Sequence, residues 1–287
     1  MSDQHGVTVV TGGASGMGEA TARLLVERGQ AVLLADIQDD RGAALAAELG
    51  ELAHFHHADV TVEQDVATLV DLAVSRWGTL DGLFNNAGII GARGPIDAIP
   101  VDEWDATVAM LLRSVFLGTK HAARVMKPVG RGAIVNTASI AAFRGDIGPH
   151  PYAAAKAGVV ALTRNTAAEL GAYGIRVNGV APGRTVTPMV AAAWVGDADD
   201  LDGARAAVLV ETPLKDRVGL ARDIAEAAVW LLSGAAGYVS GQTLIVDGGL
   251  VAGSPPASKG LSNAYSDRAP FLQQGGKRGF DTTAGRT

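Results

Sequence analysis

Apolar residues in this chain recur with two periods that take turns along most of its length. Short apolar or β-branched runs read as seven strands: GVTVV, AVLLAD, a stretch running to Asp59-Val60, LDGLF, AIVNTA, IRVNGVA and QTLIVDGG. Between them lie EATARLLVERG, DDRGAALAAELG, TVEQDVATLVDLAVSRWG, the long VDEWDATVAMLLRSVFLGTKHAARVM, an Ala-rich segment through Tyr152, and ARDIAEAAVWLLSG. These carry helical patterns, several with apolar residues at the three-to-four spacing of an amphipathic helix. Strand and helix in alternation imply parallel strands joined by right-handed crossovers. The pattern therefore predicts an α/β fold, a doubly wound, seven-stranded parallel sheet with helices on both faces.

Two stretches break the rhythm. Residues 184–220 are less regular, hold Met189, Trp194 and the acidic run GDADDLDG, and are expected to form a substrate loop. Residues 251–287 become rich in Gly, Pro, Ser and Asn. They are expected to be a tail without a core of its own, following a single domain over residues 1–250.

Composition narrows the function. Hydrophobic residues make up 48% and charged residues 19% of 287, an ordinary globular balance. A formal charge of −6 argues against nucleic acid or an anionic membrane as partner. The first residues, MSDQHGVTVV, pass straight into a strand pattern with no apolar leader, so a cytoplasmic protein is expected. With no cysteine, disulfides, thiol nucleophiles and thiolate metal sites are excluded. His54, His56 and His57 alternate as in a strand, and no metal site is expected from them.

The first strand leads directly into Thr11-Gly12-Gly13-Ala14-Ser15-Gly16-Met17-Gly18 and then a helix. Strand, glycine-rich turn and helix in succession suit a phosphate, which meets the free N–H groups at the helix start. The second strand ends in Asp36, eighteen residues after Gly18. A carboxylate there accepts from adenosine ribose hydroxyls and repels a 2′-phosphate, which favours NAD over NADP. Asp59 at the next strand end serves equally well at an adenine or as a cap for the following helix. Asn85-Asn86-Ala87-Gly88 suits a cofactor passing over a strand end, or a plain turn.

Tyr152 and Lys156 lie four apart in the Ala-rich run, one above the other on a helix face. A neighbouring ammonium favours the phenolate, so Lys156 is expected to draw the Tyr152 phenol down from its ordinary pKa of about 10 and make it an acid/base. Ser139, thirteen residues before Tyr152, follows AIVNTA at a strand's carboxyl end, where open α/β sheets bind ligands. Its hydroxyl can donate to a carbonyl or alkoxide. Ile140, Phe143, Met189 and Trp194 point to an apolar substrate, with His150 and Arg144 as candidates for a polar substituent.

Taken together these motifs resemble the short-chain dehydrogenase/reductase family over residues 6–250. They comprise TGGASGMG, Asp59-Val60, the NNAG turn, Ser139 with Tyr152-Ala153-Ala154-Ala155-Lys156, ALTRNTAAELGAYGIRVNGVAPG and YVSGQTLIVDGG. The resemblance implies a Rossmann-type fold and a nicotinamide cofactor. It implies Tyr152 as proton acceptor, Lys156 as its modulator and holder of the nicotinamide ribose, and Ser139 on the substrate oxygen. Gly12, Ser15, Gly16, Met17 and Gly18 would line the phosphate turn, with Asp36 and Ile37 at the ribose and Asp59 and Val60 at the adenine. Asn86 and Gly88 would lie beneath the cofactor, and Pro182, Val186 and Thr187 at its carboxamide end. It implies a homo-oligomer as well, a tetramer through the faces of residues 102–126 and 152–170.

One position departs from the family. Where members carry an asparagine that kinks the long helix and holds a proton-relay water, in a pattern like N-L-x-x-V-F-x-G, this chain has Leu111. Ser114, a backbone carbonyl or solvent are the candidates to replace it. The leading expectation is an NAD-dependent oxidoreductase interconverting a secondary alcohol, cyclic or bulky and apolar, with its ketone. The alternative is an NAD(H)-binding protein with weak or no catalysis, serving sensing or assembly.

Overall fold

The computed structural model describes residues 6–253. Its centre is a seven-stranded sheet of β1 (Val7–Thr11), β2 (Ala31–Asp36), β3 (Ala53–His57), β4 (Gly82–Asn85), β5 (Gly132–Thr137), β6 (Ile175–Pro182) and β9 (Thr243–Val246). All neighbours are parallel, in the order β3-β2-β1-β4-β5-β6-β9. The third strand stops at His57, so Asp59 and Val60 stand just beyond its end.

Strict alternation along the central strands divides the apolar residues between two cores. Val9 and Leu33 belong to the core beneath α3 (Glu63–Trp77) and α5 (Ser114–Val129), with Leu69, Ala73, Ala122 and Met126. Their neighbours Val10 and Leu34 face the opposite way. They pack with Leu25 of α1 (Gly16–Glu27), Leu45 of α2 (Asp39–Leu49) and Val229 of α9 (Ala221–Leu232). With helices on both faces, β1 and β2 are buried at every residue, which is why they read as continuous apolar runs.

The long helical pattern from Asp102 is in fact three pieces. These are α4 (Val101–Val108), a π-turn over Ala109–Arg113, and α5. The Ala-rich segment is α6 (His150–Leu170), preceded by Pro149 at the N-cap and with Pro151 in its first turn, where a missing N–H costs nothing.

Residues 184–220 are more ordered than their pattern suggests. They form β7 (Thr185–Val186) parallel to β8 (Gly219–Leu220), with α7 (Pro188–Trp194) and α8 (Leu201–Leu209) between. Val186, Ala191, Ala204, Val208 and Val218 give this unit a small core of its own. Its helices are too short for periodicity to show, but both carry caps: Thr187 Oγ1 accepts from Val190 N, and Asp200 Oδ1 from Gly203 N. Residues 254–287, most of the expected tail, lie outside the described residues.

A polar chain crosses the apolar centre and ties α6 to the sheet. Asn85 Nδ2 donates to Asn136 Oδ1 at 2.9 Å, and Asn136 Nδ2 donates to Thr163 Oγ1 at 3.0 Å. Asn136 and Thr163 are fully buried, so each bond replaces one that water would otherwise make. Asn136→Leu leaves Asn85 and Thr163 without these partners and should cost about 1–3 kcal/mol. At this chain length that lowers the melting temperature by roughly 3–10 °C. Differential scanning calorimetry checks it; a melting point within about 1 °C of wild type would show the chain to be energetically neutral.

Candidate active site

Strands β1 and β4 are neighbours, yet the chain leaves their carboxyl ends toward opposite faces, which opens a crevice between them. Side chains stitch its floor. Thr11 Oγ1 accepts from the backbone N–H groups of Asn86 and Ala87, and Asn86 Nδ2 donates to the Thr11 and Gly12 carbonyls at 3.1 and 3.3 Å. Gly12 has φ of 65°, and a Cβ there would meet the Ala87 Cα at 2.8 Å. Gly18 lies tighter still, since a Cβ would stand 1.9 Å from the Gly12 carbonyl oxygen. The turn and the first coil of α1 are thus pressed together, as close approach of backbone to a phosphate requires.

A cavity of about 500 Å³ follows this crevice, lined by Gly12, Ser15, Gly16, Met17, Asp36, Ile37, Asp59, Val60, Asn86, Gly88 and Thr187. Ser15 stands at the N-cap of α1 but makes no capping bond with its side chain, so its hydroxyl and the helix's first N–H groups remain for an anion. Asp36 is buried and braces the turn. Its Oδ2 accepts from Ala14 N at 3.0 Å, and its Oδ1 accepts from Gln38 N and Nε2, both at 3.1 Å. A carboxylate offers about four lone-pair sites, so acceptor capacity is left for a ribose hydroxyl. Asp59 Oδ1 accepts from Thr61 N and Oγ1 at 2.8 and 2.7 Å, a turn that leads into α3. Asp59 therefore shapes the approach to the helix while also lining the cavity. These features fit a dinucleotide, with its pyrophosphate at α1 and its adenosine toward Asp36 and Asp59.

Across Met189, which borders both, a second cavity of about 870 Å³ holds Tyr152, with Ile140, His150 and Trp194 in its wall. Ser139 is fixed beside it. Its Oγ accepts from Ala141 N at 3.1 Å, and its O–H proton is directed at Tyr152. Lys156 is buried and its Nζ donates to the Thr137 carbonyl at 2.7 Å. That carbonyl stands one residue past Asn136, the last residue of β5 in register with β4. Two further ammonium donors remain.

The electrostatics differ from the simple pairing of phenol and ammonium. Burial pushes the Tyr152 phenol above its ordinary range, while its hydrogen bond with Ser139 pulls the other way. Burial outweighs any pull from the Lys156 ammonium, which is turned to the Thr137 carbonyl and lies 5.7 Å from the centre of the Tyr152 ring. Burial brings Lys156 itself down to about 8, since a desolvated ammonium is disfavoured.

Leu111 sits in the middle of the π-turn, fully buried. A Cβ on Gly88 would lie 3.3 Å from Leu111 Cδ2 and 4.0 Å from Lys156 Nζ, so leucine, glycine and lysine crowd one spot. The kink exists here without an asparagine. Ser114 N reaches back to the Ala109 carbonyl, and the Met110 carbonyl accepts instead from Ser114 Oγ at 2.5 Å. Ser114 is thereby committed to the backbone.

The remaining expected residues divide. Thr187 lines the first cavity and caps α7, 3.6 Å from where a Cβ on Gly16 would be. Pro182 is buried in register with Val246, and Val186 belongs to the small core of residues 184–220. Arg144 Nη1 donates to the Leu250 carbonyl at 2.9 Å, and neither Arg144 nor Phe143 lines either of these two cavities. The pattern did not point to Thr137, whose carbonyl holds Lys156, or to Arg184 in the second cavity. A backbone acceptor leaves no mark on residue type, but Arg184 directly follows Pro182-Gly183 at a strand end and could have been singled out. No described helix is long and apolar enough to cross a membrane.

Comparison with known proteins agrees with this geometry. The family described as Enoyl-(Acyl carrier protein) reductase matches residues 12–251. The mitochondrial borneol dehydrogenase of Lavandula x intermedia is 46% identical over 245 residues, covering 85% of this chain and 90% of its own. Short-chain dehydrogenase reductase 3b of Arabidopsis thaliana is 42% identical over 245 residues, covering 85% and 94%. The crystal structure of levodione reductase superposes with a TM-score of 0.80 at 40% identity, covering 86% of this chain and 98% of that one.

The depressed Lys156 pKa carries a pH signature. Below about 8 the lysine is protonated in folded and unfolded chains alike, and the folded state bears the full desolvation cost. Between about 8 and the unfolded value of 10.5 the unfolded chain binds more protons, so stability rises with pH through that window. Lys156→Met removes the effect. Urea unfolding of both proteins from pH 7.5 to 10.5 should show wild type gaining roughly 2–4 kcal/mol relative to the variant. A constant difference would mean that Lys156 keeps an ordinary pKa.

Proposed function

Because this chain belongs to the short-chain dehydrogenase/reductase family, we propose that it is an NAD-dependent oxidoreductase. On this reading it interconverts a secondary alcohol, cyclic or bulky and apolar, with its ketone. The observation that carries the reading is the meeting at Met189 of two cavities, one built on the glycine turn and Asp36, the other presenting Tyr152. The cofactor supplies hydride transfer when bound. Everything else falls to side chains already in place.

In the oxidative direction Tyr152 must first lose its proton to solvent; the phenolate then takes the alcohol proton, while Ser139 turns its O–H from Tyr152 to the substrate oxygen. Lys156, anchored by the Thr137 carbonyl, has two donors left for the nicotinamide ribose and for the phenolate as it forms. The raised Tyr152 pKa keeps the phenol protonated at rest, suited to act first as an acid in ketone reduction. Asp36 supports NAD over NADP, because its carboxylate is buried, braced by Ala14 and Gln38, and cannot swing away from a 2′-phosphate. The apolar wall of Ile140, Met189 and Trp194 favours a hydrocarbon frame around the reacting carbon. A tetramer through the long helices accords with family resemblance and with Phe116, which is 48% exposed on α5.

A second reading, a cofactor-binding protein with weak or no catalysis, draws on Leu111. An isobutyl group beside Lys156 holds no relay water, and Ser114 is engaged elsewhere.

Absorbance at the NADH band, with NAD and then NADP against a panel of secondary alcohols, distinguishes the two. The enzyme reading expects turnover with NAD that falls about 10²–10⁴-fold in Tyr152→Phe. Turnover equal in wild type and variant would remove Tyr152 from the chemistry. Leu111→Asn should raise kcat if the missing relay limits the wild type. An unchanged kcat alongside brisk wild-type turnover would show that the proton leaves without it.

A further inference from the structure

Beyond Tyr152, the wall of the second cavity carries four charged or titratable residues: Arg93, Asp146, His150 and Arg184. The first three are exposed. Arg184 differs. Its side chain is only 21% exposed, and it also lines a smaller cavity of about 240 Å³ bordered by Thr212, Leu214 and Gly248. It therefore forms the partition between the two spaces.

The guanidinium is held in one orientation from two sides. It lies over the Trp194 ring, 4.7 Å from the centroid, and Nη1 pairs with Glu211. Nε is buried and has no hydrogen-bond partner among the described residues. A guanidinium carries five N–H donors in a plane, so fixed donors outnumber the acceptors offered to them. Nε itself is closed to solvent, but the part of the side chain that stays exposed lines the cavity, so N–H groups not used by Glu211 can meet a ligand oxygen there. The charge, however, is already balanced by Glu211. An uncharged acceptor such as a carbonyl, hydroxyl or ether suits such a donor, whereas a carboxylate has to compete with Glu211.

On the reading of Tyr152 and Ser139 as the reacting end, we infer that Arg184 is a specificity-determining residue. It selects bulky alicyclic alcohols and ketones that bear a second, uncharged oxygen away from the reacting carbon. Trp194 contributes by keeping the guanidinium plane against the cavity wall, and Met189 and Val190 enclose the hydrocarbon between the two oxygens.

The test is a matched pair of probes, 2-decalone and decalin-2,6-dione, which differ by one distal oxygen. Each is titrated calorimetrically into the full chain saturated with NAD. Oxidised cofactor has no hydride to give, so a ketone binds without reacting. Wild type is expected to bind the dione at least about tenfold more tightly than the monoketone, well above the twofold statistical advantage of two equivalent carbonyls. In Arg184→Met, which keeps apolar bulk against Trp194, that ratio should collapse to about the statistical value. A ratio preserved in the variant, or absent in wild type, overturns the assignment; equal weakening of both probes indicates a structural role only and overturns it as well. Glu211→Gln provides a second test with Arg184 intact. Freed of its counter-charge, Arg184 should bind 6-oxodecalin-2-carboxylate about tenfold more tightly than wild type does, and no gain counts against the inference. The titrations read binding alone, so they stand apart from the absorbance assay by which the proposed activity succeeds or fails.

Discussion

An ammonium taken out of water must be given acceptors, and among the described residues the Lys156 side chain has one fixed acceptor, the Thr137 carbonyl. Much of the candidate site is arranged around that bond. It sets how far α6 stands above the end of β5. Since Tyr152 lies one turn earlier on the same helix, it places the phenol as well. Ser139 follows Thr137 by two residues, so its hydroxyl is held in the same frame. The Asn85–Asn136–Thr163 chain fixes the other side of that frame from within the core. A buried lysine is a costly way to position a tyrosine. The cost is spread over bonds that also hold the sheet to the helix.

The nucleotide side rests on a different constraint, the divergence of the chain at the ends of β1 and β4. A crevice between two diverging strand ends would leave backbone groups exposed to each other, and Thr11 and Asn86 satisfy them across the gap. Because those polar atoms are used internally, the groups left open to a ligand are few: the start of α1, Ser15 and part of Asp36. Met189 joins this crevice to the second cavity, and the unit of residues 184–220 places it there. Thr187 starts α7 directly over Gly16, so the small domain-like unit is anchored to the turn it covers.

The long helix shows how one feature of a fold can outlast the residue associated with it. The π-turn at Ala109–Arg113 persists with Leu111 at its centre, because Ser114 donates to the Met110 carbonyl that the lengthened turn leaves behind. What does not persist is a polar side chain next to Lys156. The geometry of the turn is therefore kept by backbone bonding, independently of the residue at position 111.

By itself the sequence determined the strand and helix alternation, the parallel sheet and the glycine turn, and it pointed to Asp36, Ser139, Tyr152 and Lys156 as the candidates. These are local signals: side-chain period, turn chemistry and fixed spacing depend on neighbours in the chain. Tertiary structure alone decided the direction of the Tyr152 shift, since burial on α6 outweighs a lysine that turns to the Thr137 carbonyl. It decided that residues 184–220 fold into helices around Val186 and Val208, whose short elements only a shared core can stabilise. It also withdrew Arg144 to the Leu250 carbonyl and set Arg184 between Trp194 and Glu211. The partners of these arginines are distant or unremarkable in sequence, and a charge's role depends on which groups surround it after packing.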